Sequence, residues 1–254
     1  MNTLFLAWQA PDPKRAWFPI GRLDVSDNRK DYYFRYLEGA RSAKLSEGFK
    51  PMPVFPDLEQ IYHSPELFSM FQNRVMTPQR KDFDAYLSSL NLDSASYDPL
   101  EVLAVTGGER ATDNFEVFPK ISKLADGSFK CRFFLHGLRH TAASAQRRAE
   151  TLVPAEKLGV SIELTNPATR TALQLLTSDY QMIGWAPRYL VNDLLRAIAN
   201  QHQLQATVVR INEAPAPEKR RLLIELQGQL PSDYEPMSSE LFRPISALTS
   251  DQDD

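Results

Sequence analysis

The chain has 254 residues, 43% of them hydrophobic and 10% aromatic, and a formal net charge of −3. Such a length and apolar content exclude a disordered tract and leave room for one large domain or two small ones. No run approaches the roughly 20 apolar residues of a membrane helix, and a lone cysteine, Cys131, excludes an internal disulfide and a cysteine-built zinc cage.

The first eight residues lack the basic start and small-residue cleavage site of a signal peptide, so the expected location is cytoplasmic, with no membrane partner. Strand-like runs open the chain. Leu4-Phe5-Leu6-Ala7-Trp8, Trp17-Phe18-Pro19-Ile20 and Tyr32-Tyr33-Phe34-Arg35-Tyr36 carry the side chains that strands favour, and Pro11-Asp12-Pro13 and Asp27-Asn28 mark turns between them. Ser64 before Pro65 predicts a helix start, with Leu67, Phe68, Phe71 and Val75 on one face. Phe83, Tyr86, Leu87 and Leu90 form a second stripe at helical spacing. Asp98-Pro99 begins a third helix that turns Leu100, Leu103 and Ala104 inward and stops at Gly107-Gly108. A strand at Phe115-Glu116-Val117-Phe118 follows, then a link from Pro119 to Ser128.

The second half reads mostly as strands, at 129–135, 160–164, 172–176, 181–185, 205–210 and 222–226. Two helices interrupt them, near 142–151 and 187–200. From Ser232 the chain turns acidic and is expected to fray. The fold class is α+β, in two tandem modules. Charge is uneven. Residues 130–221 hold 13 Lys/Arg against 7 Asp/Glu, whereas residues 222–254 hold 1 against 7. A basic block between acidic neighbours fits either a nucleic-acid-facing region or an uneven spread of solvated charge.

Residues 1–119 resemble the N-terminal subdomain of HipA-type serine/threonine kinases. The resemblance is carried by Ile20-Gly21-Arg22-Leu23, Tyr33-Phe34-Arg35-Tyr36, Pro51-Met52-Pro53, Phe71-Gln72-Asn73-Arg74-Val75-Met76 and the closing Gly107-Gly108 and Phe115–Pro119. The catalytic-loop aspartate, metal-binding aspartate and phosphate loop of a kinase core do not occur in the sequence. In some HipA-like systems this subdomain is a separate small protein that neutralises a truncated kinase. The resemblance therefore implies a docking module whose partner is a HipA-like kinase.

After a linker at 120–129, residues 130–230 resemble a HIRAN domain, with residues 231–254 left as an acidic tail. The carrying phrases are Phe133-Phe134-Leu135-His136-Gly137-Leu138-Arg139-His140, Asn166-Pro167, Ala172-Leu173-Gln174-Leu175 and Ile183-Gly184-Trp185-Ala186-Pro187-Arg188. The family is a small OB-like β-barrel, here with two helices, that binds single-stranded DNA and DNA ends. By that resemblance Arg139 meets a phosphate or a base, and His140 stands where an aromatic is usual. Arg188 faces phosphate or solvent. The family's N-P-x-D phrase is here Asn166-Pro167-Ala168-Thr169, so its carboxylate is lost and Thr169 offers only a hydroxyl. Preference for a free 3′ hydroxyl is expected to be lost with it.

Plainer readings stand beside these. Trp185 is a core residue or a base platform. Asn166-Pro167 is a turn. Arg147-Arg148 is a solvated helix face. Lys219-Arg220-Arg221 meets phosphate or is a polar hairpin, the former favoured if Arg210 lies on the paired strand. His136 and His140 are four apart, but at a strand end that spacing makes no metal site, and Thr106-Gly107-Gly108-Glu109-Arg110 follows a helix where a phosphate loop would open one. No catalytic group, metal or cofactor is expected. Two functions follow. One is a non-catalytic DNA-binding adaptor, an antitoxin-type partner of a HipA-like kinase. The other is a stand-alone HIRAN DNA-binding protein in repair or phage defence.

Overall fold

The structure is a computed structural model that describes residues 3–199 and 204–247. In chain order its elements are β1 (Thr3–Gln9), β2 (Trp17–Val25), β3 (Tyr32–Tyr36), α1 (Glu38–Glu47), β4 (Tyr62–Ser64), α2 (Ser69–Gln72), α3 (Phe83–Ser89), α4 (Pro99–Thr106) and β5 (Phe115–Pro119). They continue with β6 (Ser128–Phe134), α5 (Ala143–Glu150), β7 (Lys157–Asn166), β8 (Arg170–Leu176), β9 (Met182–Trp185), α6 (Val191–Ala199), β10 (Gln205–Ile211) and β11 (Leu222–Gln229). The protein is thus α+β, with two antiparallel sheets. Two compact units divide the chain, one of residues 3–83, 96–120 and 237–247, the other of 84–95, 121–199 and 204–236. Among the described residues no helix is long and apolar enough to cross a membrane.

In the first unit the sheet order is β4-β3-β2-β1-β5. Leu4, Leu6, Ile20, Leu23, Phe34 and Tyr36 alternate onto one face and bury against Ala40, Ala43, Phe55, Phe71 and Leu103. The Tyr36 hydroxyl is fully used at depth, donating to the Phe55 carbonyl at 2.8 Å and accepting from the Met52 N–H at 2.9 Å. Burial pushes it up to about 12. Asp98 caps α4 as the sequence predicts, accepting from the Leu100 N–H at 2.9 Å.

Two expectations fail here. Ser64 does not cap a helix at Pro65. It ends β4, paired to Tyr32, and its hydroxyl serves Glu66 in a tight turn. Pairing with β3 claims this stretch before a helix can form, and only one turn, α2, remains of the predicted stripe. Leu67, Phe68 and Val75 still pack on the core from irregular backbone. Nor do residues 232–247 fray. Lys123 Nζ donates to the carbonyls of Pro231, Ser232 and Tyr234, and Tyr234 donates to the buried Asp193 at 2.9 Å. Farther on, Phe242 sits edge-on to Phe5 at 4.9 Å, and Pro244 bridges Leu37. The expected end of the tail, residues 250–254, lies outside the described residues, as do Asn200, the last residue of the predicted second helix, and His202.

The second unit holds a six-stranded sheet ordered β6-β11-β10-β7-β8-β9. Its two outer strands meet. His136, just past β6, pairs with Trp185 at the end of β9, the His136 N–H donating at 3.0 Å and the Trp185 N–H returning at 2.9 Å. That bridge closes the strands on themselves, leaving no edge there for a foreign strand. Leu158, Leu173, Leu175, Ile183, Leu194, Ala206, Val208, Ile224 and Leu226 are buried. The link predicted at 119–128 is partly a turn, with Leu124 N–H donating to Ser128 O and Lys123 bridging Phe129.

Closure depends on Gly184. Its φ is +154°, and a Cβ there would stand 2.5 Å from the His136 carbonyl oxygen and 2.8 Å from Leu135 Cγ. Gly184→Ala should lower stability by about 2–3 kcal/mol through strain and overpacking, or roughly 4–12 °C in Tm. Thermal unfolding followed by circular dichroism measures it, and an unchanged midpoint would show that the seam tolerates a side chain.

Candidate nucleic-acid interface

Two phrases far apart in sequence converge on the indole of Trp185, the first by direct approach and the second through Glu163. The first is Gly137–His140. Gly137 has φ +76°, and a Cβ there would lie 2.6 Å from Trp185 Cε3. Only a glycine lets the chain pass so close to the ring before the 3-10 turn Leu138–His140. Arg139 and His140 stand exposed on that turn, and Arg139 Nε donates to His140 Nε2 at 3.0 Å.

The second phrase is Asn166-Pro167-Ala168-Thr169, the tip of the β7–β8 hairpin. Asn166 Oδ1 accepts from the Ala168 N–H, the Thr169 N–H and the Thr169 hydroxyl at 3.0, 3.1 and 3.2 Å. This is an Asx-type turn, so the Thr169 hydroxyl is spent within the hairpin. The Asn166 amide faces the other way, donating to Glu163 Oε2 at 2.9 Å.

Glu163 is the hinge of the site. The same oxygen accepts the Trp185 indole N–H at 2.6 Å. The Asn166 amide, the indole and the Gln174 amide hold the carboxyl below its ordinary value of 4.5 against the opposing cost of desolvation. Trp185 is therefore neither a buried core residue nor a loose surface ring. It is half-buried, tied at its N–H edge and backed by a glycine.

Cations gather on the side of the Leu138–His140 turn. That turn packs against both β9 and the 3-10 turn Glu218–Arg220, which carries Lys219 and Arg220. Arg220 lies over the Tyr86 ring, 5.8 Å from its centroid. Lys219 is exposed, and partial desolvation together with the Arg220 charge lowers its ammonium below the usual lysine range. Arg188 follows Pro187 on the next 3-10 turn, close enough for its charge to act on His136.

Other predicted site residues have structural duties. Arg210 Nε donates to Asn212 Oδ1 at 3.1 Å, and Arg221 Nε to the Ala216 carbonyl at 2.8 Å. Both brace the β10–β11 connection, whose buried Asn212 bonds the Ser89 and Arg220 carbonyls. Arg210 does lie on the strand paired to β11, opposite Leu223. On α5, Arg148 is consumed by Glu156 and Asp179, while Arg147 is exposed.

Two residues of the neighbourhood escape the sequence reading. Ser161, Gln174 and Trp185 are partners across β7, β8 and β9, and Glu163 faces Ala172. Alternation then puts Glu163 on Trp185's side of the sheet. Arg170, opposite Asn166 at the hairpin tip, begins the β8 row that runs through Ala172 to Gln174. The signal was a two-residue period, visible only once the register is known. Among the described residues no group of three His, Cys, Asp or Glu could hold a metal ion.

No family model matches the sequence, and no curated protein is similar to it. Among solved structures, a protein from Lactobacillus plantarum is 16% identical over 42% of this chain and 96% of that one, with a TM-score of 0.33. The HIRAN domain of human HLTF is 14% identical over 43% of this chain and 75% of its own, with a TM-score of 0.30.

Because Glu163 is held below its ordinary value, its bond to Trp185 is in place at neutral pH and is lost as pH falls through the lowered value. The Trp185 indole proton resonance, assigned with Trp185→Phe, should titrate with its midpoint below 4.5, the ordinary value of a glutamate. Glu163→Gln should abolish that acid-side movement. A midpoint at or above 4.5 would show that Glu163 does not hold the ring.

Proposed function

We propose that the protein is a non-catalytic nucleic-acid-binding adaptor. Its second unit takes single-stranded DNA at Trp185, and its first unit docks a HipA-like kinase in the manner of an antitoxin. What supports the DNA reading is the convergence of Gly137–His140 and, through Glu163, of Asn166–Thr169 on one anchored, half-exposed indole, with Arg139 and His140 on the adjoining turn and Lys219 and Arg220 on the turn packed against it. A fixed aromatic face offers stacking to any base, and clustered cations offer the backbone a path. These are the same phrases that resemble a HIRAN domain. The kinase partner is supported by the HipA-like phrases of residues 1–119 alone.

Arg139→Ala should weaken binding of a single-stranded oligonucleotide by about 1–3 kcal/mol if a base stacks on the guanidinium, read by fluorescence anisotropy at low salt. Arg139 is exposed and, among the described residues, its side chain bonds only its neighbour His140, so the fold should survive. Unchanged affinity would remove Arg139 from the site. For the adaptor, the full chain should show no ATP turnover, and co-expression should relieve the toxicity of a truncated HipA-like kinase from the same genome. Turnover above background, or toxicity without relief, would refute those two parts separately.

A further inference from the structure

We infer that the site takes an internal stretch of single strand, with Arg170 as a second phosphate anchor, so that the strand crosses Trp185 without its end being held. This rests on the nucleic-acid reading above. Capture of a terminal hydroxyl needs a polar group left free to meet it. At the hairpin tip the hydrogen-bond donors are already used. The Thr169 hydroxyl and N–H both serve Asn166 Oδ1. The Glu163 carboxylate already takes the Asn166, Trp185 and Gln174 donors.

What the tip offers instead is charge. Arg170 is exposed, and among the described residues its side chain has no ion-pair or hydrogen-bond partner. Its backbone is held at φ +64° opposite Asn166, fixing where the side chain leaves the sheet. Four residues along β8 separate it from Gln174, the cross-strand partner of Trp185, a span of roughly 13 Å at strand rise. The other cations lie on the opposite side of β9, Arg139 on the Leu138–His140 turn and Lys219 and Arg220 on the 3-10 turn packed against it. A stacked base on Trp185 therefore has cations on two flanks, with the ionised Glu163 between them to keep phosphate off the indole's N–H edge. A strand satisfying both flanks must continue past the stacked base in both directions.

The test compares a covalently closed single-stranded circle with the linear strand of the same sequence bearing a free 3′ hydroxyl. Full-length protein and the exposed-surface variant Arg170→Ala are titrated over a salt series. The expected result is equal affinity for circle and line, within about twofold. Arg170→Ala should lower the slope of log affinity against log salt by about 0.7, the loss of one single-strand phosphate contact. Preference for the line by tenfold or more overturns the inference, since it means end capture. An unchanged salt slope in Arg170→Ala overturns it too. Failure of the wild-type protein to bind either form refutes the nucleic-acid reading itself, and the inference with it.

Discussion

The second unit depends on one short contact, the two-bond bridge between His136 and Trp185. Both the closure of the six strands and the placing of the indole hang on it. Gly184 lets the backbones approach, and Gly137 lets the chain turn away against the ring. The same residue that seals the sheet therefore offers its side chain to solvent. Its indole cannot rotate freely, because Glu163 holds the N–H and is itself held by Asn166. A preorganised aromatic loses little entropy when a base stacks on it, which is why rigid anchoring favours binding.

Charge is arranged around that ring with the same economy. Much of the basic block of residues 130–221 is committed to internal duty, in the pairs of Arg148 with Glu156 and Asp179, Arg132 with Glu225, and the braces made by Arg210 and Arg221. Arg139 stays exposed on the turn that adjoins the indole, and Arg170 at the hairpin tip. The net excess of positive charge in this stretch is thus less informative than the identity of the cations left facing solvent. Several exposed pairs, such as Arg132 with Glu225, contribute little to stability, but they subtract from what a phosphate could meet.

Much of the strand order was legible from composition. The aromatic runs at residues 4–8 and 32–36, and the Asp98-Pro99 start with its Gly107 stop, appear where local rules put them, because local propensity and burial agree there. Ser64-Pro65 misleads because the cap signal is local, while pairing of β4 with β3 is not. Helix α1 carried no signal at its start, since Leu37 provides no side-chain cap. At the site, the glycine phrases and Trp185 were readable as words, but their meeting was not. Glu163 and Arg170 are unremarkable in a β-rich sequence and gain meaning only from register. Thr169 shows the converse, a residue conspicuous in sequence whose hydroxyl is turned inward to Asn166.

The most direct test of this account is a two-dimensional amide and indole NMR titration of the full chain with a short single-stranded oligonucleotide. The account predicts that perturbed resonances cluster at residues 136–140, 163–170, 183–188 and 218–221, with the Trp185 indole among the largest shifts. Perturbations confined to the first unit's sheet, or none at saturating oligonucleotide, would contradict it.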